Sequence, residues 1–103
     1  MSHSSLAILA LIEAKPEKAA AVANLLTNAL ALANEEEQTL TWYGVQISAT
    51  SFAIFDTFAN EAGRQAHLNG KIAEALLSQA DELLIKGPDI MMANILGAKV
   101  SSK

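Results

Sequence analysis

His67 is the histidine that the chain carries outside its N-terminal tail, where the other, His3, lies. An imidazole titrates near neutrality and can take or give a proton in mild acid–base chemistry. It also has a structural alternative: a helix-end histidine packed between helix and sheet, bonded to a backbone carbonyl. Asp56 lies upstream among apolar residues. A carboxylate there is costly unless partnered. Arg64 or backbone N–H groups are the partners the sequence offers. Trp42 and Tyr43 are neighbours in a strand-like segment, so they point to opposite faces. One joins the core, the other a pocket or a subunit interface, and Tyr43 can orient a phenolic oxygen. Asn94 and Gln46 are amides within strand-like segments and need partners when buried. Read from the residues alone, this is an apolar pocket with one histidine.

Other chemistries find no support. The chain has no cysteine, which removes disulfides, thiolate nucleophiles and zinc–cysteine sites. The serines sit in polar links without a glycine-flanked elbow. The glycines are isolated, so no phosphate-cradling loop forms. The run Glu35-Glu36-Glu37 reads as a solvated connection, since three consecutive side chains do not converge on one ion unaided. No metal site is expected. A net charge of −4 argues against a nucleic-acid partner. The apolar run Leu6–Ile12 is too short to span a bilayer. No Lys or Arg precedes it, so a signal peptide is not expected and a cytoplasmic location is.

The elements that must position these residues follow from periodicity. Residues 1–103 form one domain, with polar tails at 1–5 and 101–103. Leu6–Ala14 is a strand apolar on both faces. Pro16 suits a first helical position, and a helix runs to about Ala33, with Val22, Leu25, Leu26, Ala29 and Leu30 in one stripe. Thr39–Ser48 is a β-branched and aromatic strand. A short link joins it to a strand over Phe52–Phe58, as a hairpin. On that third strand Phe52, Ile54, Asp56 and Phe58 share a face, and Ala53, Phe55 and Thr57 take the other. Asn60 can cap a short helix that ends near His67. Asn69-Gly70 interrupts it, and a second run from Lys71 stops at Gly87-Pro88. Asp89–Val100 holds the last strand.

The order β-α-β-β-α-β predicts an α+β, ferredoxin-like domain, a four-stranded antiparallel sheet with both helices on one face. The apolar fraction of 51% is high. Two helices cover one sheet face, yet the first and last strands are apolar on both. A second copy packed sheet to sheet, a homodimer, is the economical cover.

The segment Phe52-Ala53-Ile54-Phe55-Asp56-Thr57-Phe58, followed by Ala59-Asn60-Glu61-Ala62-Gly63-Arg64-Gln65-Ala66-His67-Leu68, resembles the antibiotic biosynthesis monooxygenase family, dimeric α+β barrel proteins that include quinol monooxygenases. The likeness runs from Leu6 to Lys99. It implies oxygenation of a small aromatic or quinol substrate without a cofactor, with a pocket between the sheet and the broken second helix. Within that implication His67 is the catalytic candidate, and Trp42, Tyr43, Phe55, Asp56 and Asn94 are candidates for binding substrate. The chain departs from the family's pattern where a second histidine is common: Ile72 stands there. Haem-degrading relatives carry an axial histidine where this chain has Leu77, so haem is not implied. Two alternatives stand beside the oxygenase: a non-enzymatic ligand-binding or stress-associated dimer, and isomerase or lyase chemistry with His67 as base.

Overall fold

The structure is a computed structural model and describes residues 6–101. Strand β1 (Leu6–Glu13) leads through a 3-10 turn at Pro16–Lys18 into helix α1 (Ala19–Asn34). Strands β2 (Thr39–Gln46) and β3 (Ser51–Phe58) form the expected hairpin. Helices α2 (Glu61–Leu68), α3 (Lys71–Ser78) and α4 (Ala80–Leu83) follow, and strand β4 (Asp89–Asn94) ends the order.

Among the described residues the strands make one four-stranded sheet in the order β2-β3-β1-β4, antiparallel throughout. This is the ferredoxin-like α+β arrangement. The two central strands are the most buried ones. Ala10 and Ile12 of β1 pair with Ile54 and Phe52 of β3, and all four are buried. Val22 and Leu26 of α1 and Leu76 of α3 close over them, so the core lies between the sheet and one helical layer.

The opposite face is open. Tyr43, Val45, Leu11 and Met91 point there, and each keeps 40% or more of its surface exposed. On β1, Ile8, Ala10 and Ile12 of the helix-facing side are buried, while on the other side Ala7 is buried and Leu11 exposed.

Three element ends differ from expectation. Strand β4 stops at Asn94, which pairs with Leu6, the first residue described. Strand β2 stops at Gln46, where the backbone N–H groups of Ile47 and Ser48 turn to the Ser51 carbonyl. The second helical run is not continuous. It breaks at Gln79 and gives up helix at Leu84, which bridges to Ala14 instead.

Candidate functional site

Strand β3 carries Asp56 on its helix-facing side, fully buried. The chain leaves β3 and enters α2 through Asn60, whose side chain accepts the Gly63 N–H at 2.8 Å. That cap sets the direction of α2. It also brings Gly63 against the start of β2, where a Cβ would lie 2.6 Å from the Cβ of Gln38. A glycine is required by that approach. Two turns along, His67 comes to lie over β3, with its ring 5.2 Å from the ring of Phe58.

His67 is 8% exposed and stands between two carboxylates. Nδ1 is 2.8 Å from Glu36 Oε1, and Nε2 is 2.8 Å from Asp56 Oδ2. The second contact has the length of a hydrogen bond but not its alignment, so neither Asp56 oxygen has a well-directed donor among the described residues. The pair is an ion pair first. Burial alone would push the imidazole toward its neutral form. The close Asp56 carboxylate, and Glu36 with its hydrogen bond and charge, outweigh it, and the pKa is raised above the ordinary 6.5. The ring therefore holds its proton to higher pH than a free histidine does.

Glu36 is set by the link between α1 and β2. Its Oε1 also accepts the Thr39 hydroxyl at 2.7 Å. Strand β2 has a bulge here: Thr39 faces Phe58 and Thr41 faces Thr57, which leaves Leu40 as an extra residue.

Glu36 and His67 line a depression of about 450 Å³ between the α1–β2 link and the start of α2 and α3. Leu32, Ala66 and Gly70 give it apolar wall, and Glu35, Glu37 and Lys71 complete its rim. A second pocket, of about 420 Å³, lies between α1 and β2. Leu26, Leu30, Trp42, Tyr43 and Phe52 line it. No group of three or more His, Cys, Asp or Glu side chains among the described residues could hold a metal ion. No helix among them is long and apolar enough to cross a membrane.

Solved structures share this architecture. A Caulobacter crescentus protein provisionally named an antibiotic biosynthesis monooxygenase matches at a TM-score of 0.77, with 13% identity over 91% of this chain and 92% of its own. A Nitrosomonas europaea protein with the same provisional name matches at 0.78, with 10% identity over 93% and 95%. At such identities the likeness is one of fold. A different Nitrosomonas europaea protein, of unknown function, matches at 0.91, with 45% identity over 97% of both chains. The chain belongs to one family with that protein, on the antibiotic biosynthesis monooxygenase fold. No family model and no curated protein matches it.

On this monooxygenase fold the residues singled out in the sequence fall into separate places. Asp56 and His67 come together. Trp42 lines the other pocket, with the indole also packed on the core, while Tyr43 borders that pocket from a strand position whose side chain points to the face without helices. Phe55 faces Tyr43 and Leu9 across the sheet, on the face without helices. Asn94 is exposed on edge strand β4. His3 lies outside the described residues.

Four expectations need correction. Arg64 does not pair with Asp56. Its guanidinium binds Glu61 and the backbone carbonyls of Ala7 and Ala93. The backbone-carbonyl alternative for His67 gives way to two carboxylates. The acidic run is not only a solvated connection, because Glu36 folds inward onto His67. The depression beside His67 also lies along the α1–β2 link, not between the sheet and the broken helix. Glu36 is the residue that sequence reasoning missed. A weak signal existed: Thr39 follows it at the spacing of a side-chain turn.

Proposed function

We propose that the protein is a cofactor-independent monooxygenase of small aromatic or quinol substrates, acting in the depression beside His67. The observation that carries this reading is the chain Asp56–His67–Glu36 standing at the wall of a cavity. A charged relay fixed in a largely dry wall is the equipment for moving one proton at a bound ring. The shared fold with proteins provisionally named monooxygenases supports it.

The chemistry asks little of the protein. Loss of a proton makes a hydroxylated ring electron-rich enough to react with dioxygen. One oxygen atom then bonds to the ring carbon and the other leaves as water, with the substrate supplying all the electrons. The protein has to hold the ring, take the proton and keep water from the charged intermediate. The apolar wall of Leu32 and Ala66 can hold the ring.

Oxygen consumption against a panel of reduced naphthoquinones and polycyclic phenols tests the reading. Uptake above autoxidation, lost in His67→Ala with the fold intact by circular dichroism, is the expected result. No uptake by the native protein with any of the panel ends it.

A second reading is a ligand-binding protein without turnover. Two observations favour it: both nitrogens of His67 are engaged, and the pocket lined by Trp42 and Tyr43 is separate from them. Tight binding of a small aromatic molecule there, without oxygen uptake, would select it.

The same proposal includes a homodimer. The open sheet face carries Leu11, Tyr43, Val45 and Met91, an apolar surface of the kind that a second copy covers.

A further inference from the structure

We propose that Glu36, and not His67, is the group that exchanges a proton with the substrate, through its Oε2 atom, and that His67 is a positioning residue. The inference rests on the oxygenase reading for its substrate class, but its geometry stands alone.

A histidine that accepts a proton needs a nitrogen lone pair facing the substrate. Here Nδ1 is spent on Glu36 and Nε2 on Asp56, each at 2.8 Å, and the ring is almost wholly buried. With a proton on both nitrogens the imidazole has no lone pair left. It also has no room to turn, since Phe58 packs on it and Asp56 lies behind.

Glu36 is the opposite case. Its Oε1 is occupied by the imidazole and the Thr39 hydroxyl. No donor among the described residues reaches Oε2. That atom lies 3.5 Å from where a Cβ on Gly70 would stand, so Gly70, which also lines the depression, is its neighbour. Glu36 also borders the 450 Å³ depression. The fixed oxygen holds the carboxylate still, and Oε2 is the oxygen left to meet a ligand.

The charges agree. Two carboxylates flank one imidazole, so the cluster has one more acidic group than basic ones. The other charged groups around the depression are Glu35 and Glu37 from the α1–β2 link and Lys71 from α3. In the proposed step the O–H bond of a ring hydroxyl breaks. The proton passes to Glu36 Oε2, and the bonding electron pair stays on the ring oxygen. His67 orients the carboxylate and offsets its charge.

Base-promoted opening of 5-nitrobenzisoxazole tests this without dioxygen. A base takes the ring C–H proton, the N–O bond breaks and its electron pair ends on a coloured phenolate. The native protein should promote the reaction, and Glu36→Gln should lose about a hundredfold of the rate while melting like the native protein. Glu36→Ala should regain rate when formate is added, because formate replaces the lost carboxylate. His67→Gln should lower kcat with KM little changed, and formate should not help it, since its carboxylate is still present. A native rate no greater than that of acetate at equal concentration overturns the proposal. So does a Glu36→Gln variant as fast as the native protein. Elimination that needs Glu36, beside a failure to consume oxygen with any quinol, would retire the oxygenase reading and leave Glu36 as the proton acceptor.

Discussion

His67 Nε2 lies 2.8 Å from Oδ2 of Asp56, a carboxylate with no exposed surface. The imidazole is its compensating charge. Removing one member of a buried pair leaves the other charge stranded, which costs about 3–5 kcal/mol. His67→Ala is therefore expected to destabilise the fold by about that amount in urea unfolding. The double variant His67→Ala/Asp56→Asn should cost less than the sum of the two single changes, by about 1–3 kcal/mol. Strict additivity would show that the two side chains are not coupled.

The same pair sets a pH dependence. The folded pKa of His67 is raised above its unfolded value. Its stabilising contribution is thus complete below the unfolded pKa of about 6.5 and is lost as pH rises through the folded value. The native protein should hold a larger stability advantage over His67→Gln at about pH 6 than at about pH 9. Thermal melts of both proteins across that range check the sign. An advantage that grows with pH would contradict it.

Gly63 is expected to resist a substitution that helix propensity favours. Alanine in place of glycine within a helix ordinarily stabilises by up to about 1 kcal/mol. Here its methyl group would meet Gln38 at 2.6 Å, and a Cβ is not a flexible tip that can swing aside. Gly63→Ala should cost about 1–3 kcal/mol instead, read as a lower melting temperature. Asn60→Ala, which removes the cap of the same helix, should cost about 1 kcal/mol.

The open sheet face yields a prediction of association. Light scattering at micromolar concentration should give a dimer. Tyr43→Glu combined with Val45→Glu should give a folded monomer, because two carboxylates cannot be buried in an apolar interface. A native monomer at that concentration would remove the homodimer.

Trp42 is the chain's single tryptophan, so its fluorescence reports on the pocket it lines. A small aromatic ligand bound between α1 and β2 should quench it, and Leu30→Lys should weaken that binding. A ligand bound beside His67 should leave the emission near its free value. The titration separates the two cavities.

Much of the fold was legible because it is local. The two-residue alternation of β3 and the capping Asn60 are read within a few residues of themselves. Asn69-Gly70 marks the end of α2 where the structure ends it. The site was legible only in part. Asp56 betrays itself as a carboxylate in an apolar strand, and His67 as a lone imidazole. Their partnership with Glu36 joins an α1–β2 link to a helix that begins after the next two strands. No pattern of period two or 3.6 reports such a contact. Arg64 misled for a related reason. It lies nearer Asp56 in sequence than His67 does, yet the turn of α2 carries its guanidinium to the carbonyls of Ala7 and Ala93. Trp42 even faces Asp56 across the β2–β3 ladder, and only the packed structure shows that the pocket it lines is not the one beside His67.

The bulge at Leu40 has an evolutionary side. Because Leu40 is the unmatched residue of its ladder, deleting its single codon would leave Thr41 opposite Thr57 and Thr39 opposite Phe58, on the faces they already hold. Glu36 would then keep its hydroxyl donor, and the core would stay as it was. A lineage on this fold can thus lose one codon at this point without disturbing the surroundings of that carboxylate or any residue of the sheet's interior.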